Sequence, residues 1–150
     1  MAVTAFWYGL GVKQQWNSTA ADRVVWPGAT DTHKVSLHTS AYAYNQDTDN
    51  YFNNTTNEIT GTNYVAGGYQ LANKTLNYDT ASNETRLDAD DAVWATASFT
   101  ANRAVIYKST GVSTTSLLMG YVLFGADQTV ATATFTIQWD ATGVLKVTAS

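Results

Sequence analysis

The chain contains no cysteine in its 150 residues. It therefore has no disulfide bonds, no thiolate ligands for a metal centre and no cysteine nucleophile. A chain of this length has the size of one ordinary domain, and it can bury a hydrophobic core that needs no covalent or metal staple. We therefore expect a single domain over residues 1–150.

Charged residues are also scarce. They make up 13% of the chain, against about 25% in an average globular domain, and the net charge is −4. There is no basic stripe and no phosphate-binding glycine loop, so we expect no nucleic acid or nucleotide as a partner. No apolar run reaches the roughly 18 to 20 residues that cross a bilayer. The first cation, Lys13, follows the apolar N-terminus instead of preceding it as in a signal peptide. We expect a soluble protein that works without export and without a membrane partner.

Residues 131–139 carry the clearest structural pattern. Apolar residues occupy every second position and Thr or Gln fills the gaps, as in a strand with one buried face. A turn at 140–143 and a short strand at 143–148 follow, so we expect these two strands to pair as a hairpin. Trp139 lies on the apolar side of the alternation and is expected in the core, as is Trp94.

Two long apolar runs precede this strand. They cover residues 99–107 and 117–124, and the small polar link 108–115 between them is typical of a hairpin loop. The second run is almost continuously apolar, which indicates a central strand covered on both faces. Residues 125–128 are expected to turn the chain into the alternating strand.

Shorter strands are predicted upstream. One covers 33–39, and a hairpin turns at 79–83, while the acidic stretch 88–91 is expected to form one helical turn. About eight or nine short strands at this spacing predict an all-β fold, a single-domain antiparallel β-sandwich that is jelly-roll-like or barrel-like.

The N-terminal third is the least regular part of the sequence. Residues 1–30 are predicted as an irregular arm that packs on the sandwich or extends from it. Within them, 6–16 fit either a short helix or an extended segment, because Gly9 and Gly11 weaken a helix. Residues 41–60 form a long polar stretch dotted with aromatic side chains, and long loops of this kind tend to carry function.

A catalytic set is not evident in the sequence. The two histidines, His33 and His38, differ by an odd number of positions on one strand and should point to opposite faces, and Ser36 faces away from His33. We interpret both histidines as surface or interface residues. Glycoside hydrolysis needs a pair of carboxylates on either side of the bond that is cleaved. The two glutamates, Glu58 and Glu84, are both expected to be exposed near turns and do not suggest such a pair. We expect no enzyme and no cofactor.

Two clusters of acidic residues offer oxygen ligands suited to Ca²⁺. Neither has the spacing of an EF-hand loop, so helix capping and loop solvation are the simpler interpretation of both. The clusters are Asp47 and Asp49, beside Asn45 and Asn50, and Asp88, Asp90 and Asp91.

Aromatic side chains are abundant in the irregular first half of the chain. Tryptophan and tyrosine are enriched at protein interfaces, so these residues are candidates for contact with a partner protein, or alternatively for an aromatic platform that binds sugar. The candidate contact residues are Phe6, Trp7, Tyr8, Trp16, Trp26, Tyr42, Tyr44, Tyr51 and Phe52. Residues 95–150, with the regular β pattern, are interpreted as scaffold.

A series of short motifs runs in order over nearly the whole chain and resembles a family of small virion proteins encoded among the structural genes of tailed bacteriophages. The motifs are AFWYGLG (5–11), HKVSLHTS (33–40), YNQDT (44–48), EITGTNYVAGG (58–68), LDADDAVW (87–94), RAVIYK (103–108), GYVLFGAD (120–127) and FTIQWDATGVL (135–145).

The resemblance implies a component of the virion, assembled in the host cytoplasm. A capsid decoration (cement) protein is the first expectation: it would bind the major capsid protein on the outside of the shell and self-associate, most plausibly as a homotrimer at a local three-fold axis. A neck, tail or fibre component is the second expectation. A carbohydrate-binding module used in host adsorption is the third, with Tyr42, Tyr44, Tyr51 and Phe52 as its platform.

Overall fold

The computed structural model describes residues 2–3, 5–15 and 23–149. The fold is an all-β sandwich of two open antiparallel sheets with one short helix. Its elements in chain order are β1 (Ala2–Val3), β2 (Phe6–Trp7), α1 (Gly9–Gln15), β3 (Thr32–His38), a 3-10 helix (Phe52–Asn54), β4 (Tyr69–Gln70), β5 (Thr75–Asp79), β6 (Glu84–Asp88), β7 (Ala92–Ser109), β8 (Leu118–Trp139) and β9 (Leu145–Thr148).

The large sheet has the order β1-β8-β7-β3-β4, and β2 also pairs with β8. Its centre is the antiparallel pair β7–β8, which is joined by the polar loop predicted at 108–115. Both strands are far longer than the short strands expected. The small sheet has the order β5-β6-β9, and the predicted hairpin with its turn at 79–83 is confirmed by β5 and β6.

Strand β8 folds back sharply on itself. Val3 pairs with Trp139 and Phe6 pairs with Tyr121, so three residues of the N-terminal segment bridge positions eighteen residues apart on β8. Three residues span at most about 11 Å, whereas a straight strand would separate those positions by roughly 60 Å. The two halves of β8 therefore lie close together, and the bent β7–β8 ribbon wraps around the core.

The bend coincides with irregularities in the ladder. Ala101 pairs with Gln128 and Arg103 with Leu123, so residues 124–127 bulge out opposite a single residue of β7. Gly125 has a φ of +80°, which glycine adopts without strain. The expectation of a turn at 125–128 was wrong, because the strand continues with β7 as its partner. The turn-like composition of residues 125–128 therefore bends strand β8 and does not reverse the direction of the chain.

Two other local expectations were also wrong. The run 143–148 does not pair with the preceding strand: β9 crosses to the small sheet and pairs with β6. Residues 88–91 form no helical turn, and β7 begins directly after them. Of the two alternatives for residues 6–16, a short helix forms at α1. The carbonyl oxygen of Leu118 lies 2.5 Å from the position that a Cβ on Gly11 would take, so the contact of α1 with β8 leaves room only for glycine there.

The main core lies between the two sheets. It combines aliphatic side chains with the aromatic cluster of Trp94, Phe99, Phe124 and Phe135, and Trp139 is buried beside it. The core positions of Trp94 and Trp139 are confirmed. Leu145 of β9 is fully buried against Gly120 of the large sheet, where a Cβ would lie 2.7 Å from a leucine methyl carbon. The missing side chain at residue 120 thus lets the sheets approach each other.

Candidate functional site

The other face of the large sheet carries the aromatic residues of interest. It is covered by α1 and by the long connection between β3 and β4, and its side chains form a second cluster separate from the main core. We call this surface the aromatic face. Its members are Phe6, Tyr8, Tyr42, Tyr44, Phe52, Tyr107 and Tyr121.

Tyr121 lies at the centre of a stack that reaches the surface. Tyr44 stacks on it with ring centroids 3.8 Å apart, and Phe6 packs against it at 5.6 Å. The Tyr121 ring is nearly buried, Tyr44 is half-buried, and Phe6 is 55% exposed. Burial raises the pKa of Tyr121 to about 12. The result is an exposed aromatic side chain with a rigid backing of two tyrosines.

Sequence reasoning missed two central members of this face. Tyr107 and Tyr121 belong to β7 and β8, in the half of the chain interpreted as scaffold. In each strand, the residues directly before and after the tyrosine point to the opposite face of the sheet. This alternation was the available signal. Without the pairing of β7 with β8 the two tyrosines could not be assigned to the face that receives the N-terminal aromatics.

Beneath the surface, hydroxyl groups tie the covering segments to one another. The Tyr8 hydroxyl lies 2.8 Å from that of Tyr42, which donates to Asp49 at 3.0 Å, and Asp49 also accepts from the backbone of Asn45. Burial, aided by the hydrogen bond between them, raises the pKa of Tyr8 well above its ordinary value. Tyr8 and Tyr42 are buried, so they hold the loop in place and do not present their rings to a partner.

The tryptophans of the predicted contact set lie elsewhere. Trp26 is buried in the main core and Trp7 packs against it, and their indole N–H groups donate to the carbonyls of Asp88 and Lys146, both in the small sheet. These two side chains therefore join the N-terminal third to the small sheet. Trp16 lies outside the described residues.

Tyr51 and Phe52 lie at the rim of the aromatic face. Tyr51 is half-buried and forms an isolated bridge with Leu117. Phe52 stacks on Tyr107, with ring centroids 4.2 Å apart and 18° between the planes. The rings of Phe52 and Tyr107 line a cavity of about 330 Å³ that opens between the β7–β8 loop and the turn before β4.

We call this cavity the Lys34 pocket. Its lining combines opposite charges, hydroxyl groups and the backbone of two glycines. The lining residues are Lys34, Phe52, Glu58, Ala66, Gly67, Tyr107, Ser109, Gly111, Ser113 and Ser116.

Glu58 is anchored in this pocket by one of its two carboxylate oxygens. Oε1 accepts hydrogen bonds from the Tyr64 hydroxyl and the Gly67 amide, each at 2.6 Å, and the Tyr107 hydroxyl donates to the Gly67 carbonyl at 2.6 Å. Burial and the charge of Glu58 raise the pKa of Tyr107. Glu58 is therefore half-buried and positioned, and the expectation that it is simply exposed was wrong.

Glu84 was also expected to be exposed and is instead buried. Its carboxylate accepts from Lys146 at 2.7 Å and from Arg86 at 2.8 Å, and these cations lower the pKa of Glu84 to about 2. It belongs to the small sheet, whereas Glu58 lies beside β3. The geometry gives these glutamates separate structural partners and does not place them around one bond as a hydrolase would.

The histidines are buried, so their interpretation as surface or interface residues was wrong. They do point to opposite faces of β3, as expected: His33 packs on Trp26 in the main core and His38 packs on Tyr42. The Lys74 ammonium lies 2.8 Å from Nδ1 of His33 and must be the donor to it. Burial and this cation lower the pKa of His33 to about 3.

A buried serine–histidine pair accompanies His38. The Ser36 hydroxyl lies 2.9 Å from Nε2 of His38, and Nδ1 lies 2.8 Å from the Thr56 carbonyl, so the ring carries its hydrogen on Nδ1 and accepts from Ser36. This resembles a nucleophile and its base, and the even spacing on one strand was the signal for it. Both side chains have no exposed surface, however, so no substrate reaches the hydroxyl.

The acidic clusters act as hydrogen-bond acceptors, the first within its own loop and the second also for distant segments. Asp49 binds Tyr42 and Asn45, while Asn45 accepts from the backbone of Asp47. In the second cluster, Asp88, Asp90 and Asp91 bind three different partners. Within the described ranges, no group of three acidic or histidine side chains is placed to hold a metal ion.

Comparisons of the chain with protein-family models, with curated proteins and with solved structures give no match. Over the residues that the structure describes, no helix is both long enough and apolar enough to cross a membrane.

Proposed function

We propose that this chain is a non-enzymatic structural protein of a bacteriophage virion, a decoration protein that binds the outer surface of the major capsid shell through the Phe6–Tyr121–Tyr44 stack of its aromatic face. The carrying observation is the exposed Phe6 side chain, backed by Tyr121 and Tyr44. The resemblance of the ordered sequence motifs to those of tailed-phage virion proteins supports the choice of the shell as the partner.

The physical case for contact at this face rests on the rigidity of the ring stack. An aromatic side chain held by its neighbours loses little conformational entropy when a partner covers it, and such residues contribute disproportionately to binding. The face contains few charges, so little ion desolvation opposes the contact. Several copies bound to neighbouring capsid subunits, or associated as a trimer, would add their modest affinities through avidity.

A neck, tail or fibre location is the second candidate within the virion. It would use the same aromatic face and differ in the number of attachment positions. Quantitative mass spectrometry of purified virions separates the two: hundreds of copies per particle support decoration, and a handful support the neck or tail.

The test replaces Phe6 with alanine in the phage that encodes the chain. Phe6→Ala should lower the copy number on purified particles at least several-fold, because it removes the exposed ring and leaves its backing intact. Tyr78→Ala is the matched control, since Tyr78 is 57% exposed but belongs to the small sheet. Particles that keep a full complement of the Phe6→Ala protein, or a head that shows no density for the chain by cryo-EM, would overturn the proposal.

A further inference from the structure

The Lys34 pocket contains an ammonium group and a carboxylate that do not bind each other. None of the ion pairs found among the described residues joins Lys34 to Glu58, so their charged atoms are more than 4.0 Å apart. Both side chains are half-buried and both line the cavity. Two opposite charges held apart at one cavity leave room for a ligand group between them.

The hydrogen bonds already made by Glu58 and Lys34 indicate which further bonds each of them can form with a ligand. Oε1 of Glu58 already accepts two bonds, while Oε2 accepts none from the described residues, and the Lys34 ammonium donates to none of them. A ligand therefore has to donate at one point and accept at a neighbouring point. Vicinal hydroxyl groups do both, because each hydroxyl is a donor and an acceptor.

An aromatic wall completes the pocket. Phe52 is held in place by its stack on Tyr107, and the Tyr107 hydroxyl is fixed by its bond to Gly67. The electron-rich face of such a ring packs well against the slightly positive C–H groups on one side of a pyranose. The hydroxyl of Ser113, an exposed residue of the lining, makes no hydrogen bond with the described residues and offers a further polar contact.

We infer that the Lys34 pocket binds a neutral saccharide residue. Its volume of about 330 Å³ lies at the lower end of the roughly 300 to 1,000 Å³ range of small-molecule sites, which suits one or two sugar rings. The charges of Lys34 and Glu58 balance, so they favour a ligand without net charge. The site is separate from the Phe6–Tyr121–Tyr44 stack and does not depend on attachment to a virion.

The experiment titrates isotope-labelled full-length protein with glucose, galactose, mannose, rhamnose and N-acetylglucosamine, followed by amide NMR shifts. At least one sugar should give saturable shifts at Gly67 and Gly111, the two pocket glycines. Lys34→Gln should weaken that binding at least tenfold without unfolding the chain, since the ammonium holds no described residue. Lys13→Gln is the matched control, because Lys13 is an exposed lysine of α1 outside the pocket. Absence of saturable shifts with every sugar, or equal affinity of Lys34→Gln and Lys13→Gln, would overturn the inference.

A second pair of variants tests the aromatic wall. Phe52→Leu should weaken sugar binding several-fold, whereas Phe6→Leu should leave it unchanged, and the reverse pattern would assign the sugar to the aromatic stack. A parallel titration with glycine and glutamate tests the alternative that the separated charges hold an amino acid. Tighter binding of either amino acid than of any sugar would also overturn the inference. Because Phe6 variants test virion attachment and Phe52 variants test the pocket, failure of one proposal is distinguishable from failure of the other.

Discussion

The two faces of the large sheet are shielded from solvent in different ways. One face is closed by a second sheet, with aliphatic and tryptophan side chains between the two sheets and indole N–H groups bound to backbone carbonyls. The other is closed by a short helix and irregular chain over a cluster dominated by tyrosine. Tyrosine suits an irregular cover because its ring fills space while its hydroxyl satisfies polar groups that a loop leaves behind.

This difference separates stability from recognition. Among the described residues, the aromatic side chains in the core cluster of the sheet-covered face are buried, whereas the loop-covered face ends in an exposed phenylalanine and a polar pocket. Contact residues are commonly carried on loops that a rigid scaffold positions. Here the scaffold also contributes two of the rings, Tyr107 and Tyr121.

The largest effect is expected from breaking the sheet-covered face. Leu145→Ala should lower the free energy of unfolding by about 2 to 5 kcal/mol, because it opens a cavity where the small sheet meets Gly120. Val147→Ala, two residues along the same strand and 49% exposed, should cost less than about 1 kcal/mol. Urea denaturation followed by tryptophan fluorescence measures both. Equal losses in the two variants would show that the sheets are not packed as described.

Acid should weaken the same face through His33. The unfolded imidazole binds a proton near pH 6.5, whereas burial and Lys74 hold the folded pKa at about 3. Stability is therefore complete above about pH 6.5 and falls as the pH drops toward 3, by up to about 1.4 kcal/mol per pH unit for this one group.

The check compares His33→Gln with the unaltered protein in urea between pH 7.5 and 4.5. The variant should show a distinctly flatter decline, with the remainder coming from His38, whose pKa is also lowered by burial. Above pH 7 the two proteins should differ by a constant amount. Parallel declines over the whole range would mean that His33 is protonated in the folded state.

The smallest effect is expected on the loop-covered face. Tyr42→Phe removes the hydroxyl between Tyr8 and Asp49 and should cost about 1 to 2 kcal/mol, because the buried Tyr8 hydroxyl loses its partner. Tyr8→Phe combined with Tyr42→Phe should cost less than the sum of the single changes. Tyr78→Phe is the control, since that hydroxyl bonds to Asn83 at the surface, and it should be nearly neutral. Additive losses would indicate that the two hydroxyls act independently.

Local patterns in the sequence predicted the local structure well. The hairpin turning at 79–83 and the loop at 108–115 depend on neighbours within about a dozen residues, and both are present. The alternation predicted over 131–139 holds only from Phe135 to Trp139, whereas Ala131 and Ala133 are exposed, because the ladder with β7 is irregular around Thr132, whose φ is +51°. The opposite facing of His33 and His38 follows from strand geometry alone. Their burial does not, because it depends on Trp26 and Tyr42 arriving from other segments.

The sequence did not predict which strands pair with each other. The crossing of β9 to β6 and the continuation of β8 through Gly125 both depend on pairings between distant segments. The candidate site has the same origin. Lys34, Glu58 and Tyr107 come from three separate segments, and no spacing within one segment places an ammonium, a carboxylate and an aromatic ring around one cavity. The sequence located Phe6, Tyr44 and Phe52 as candidates but gave no means of separating them from the buried Tyr8 and Tyr42.

The attachment of residues 2–7 to both halves of β8 has a consequence for biosynthesis. These residues are translated before their pairing partners at 120–121 and 138–139, which are made more than a hundred residues later. During translation the N-terminal segment therefore cannot yet form its native strand pairings, because the edge of β8 that it covers has not been synthesised. The edge of β8 is covered by residues that were translated well before it, so we expect slow closure of this edge after β8 is made, and until then the exposed edge of β8 is open to a chaperone or a neighbouring copy.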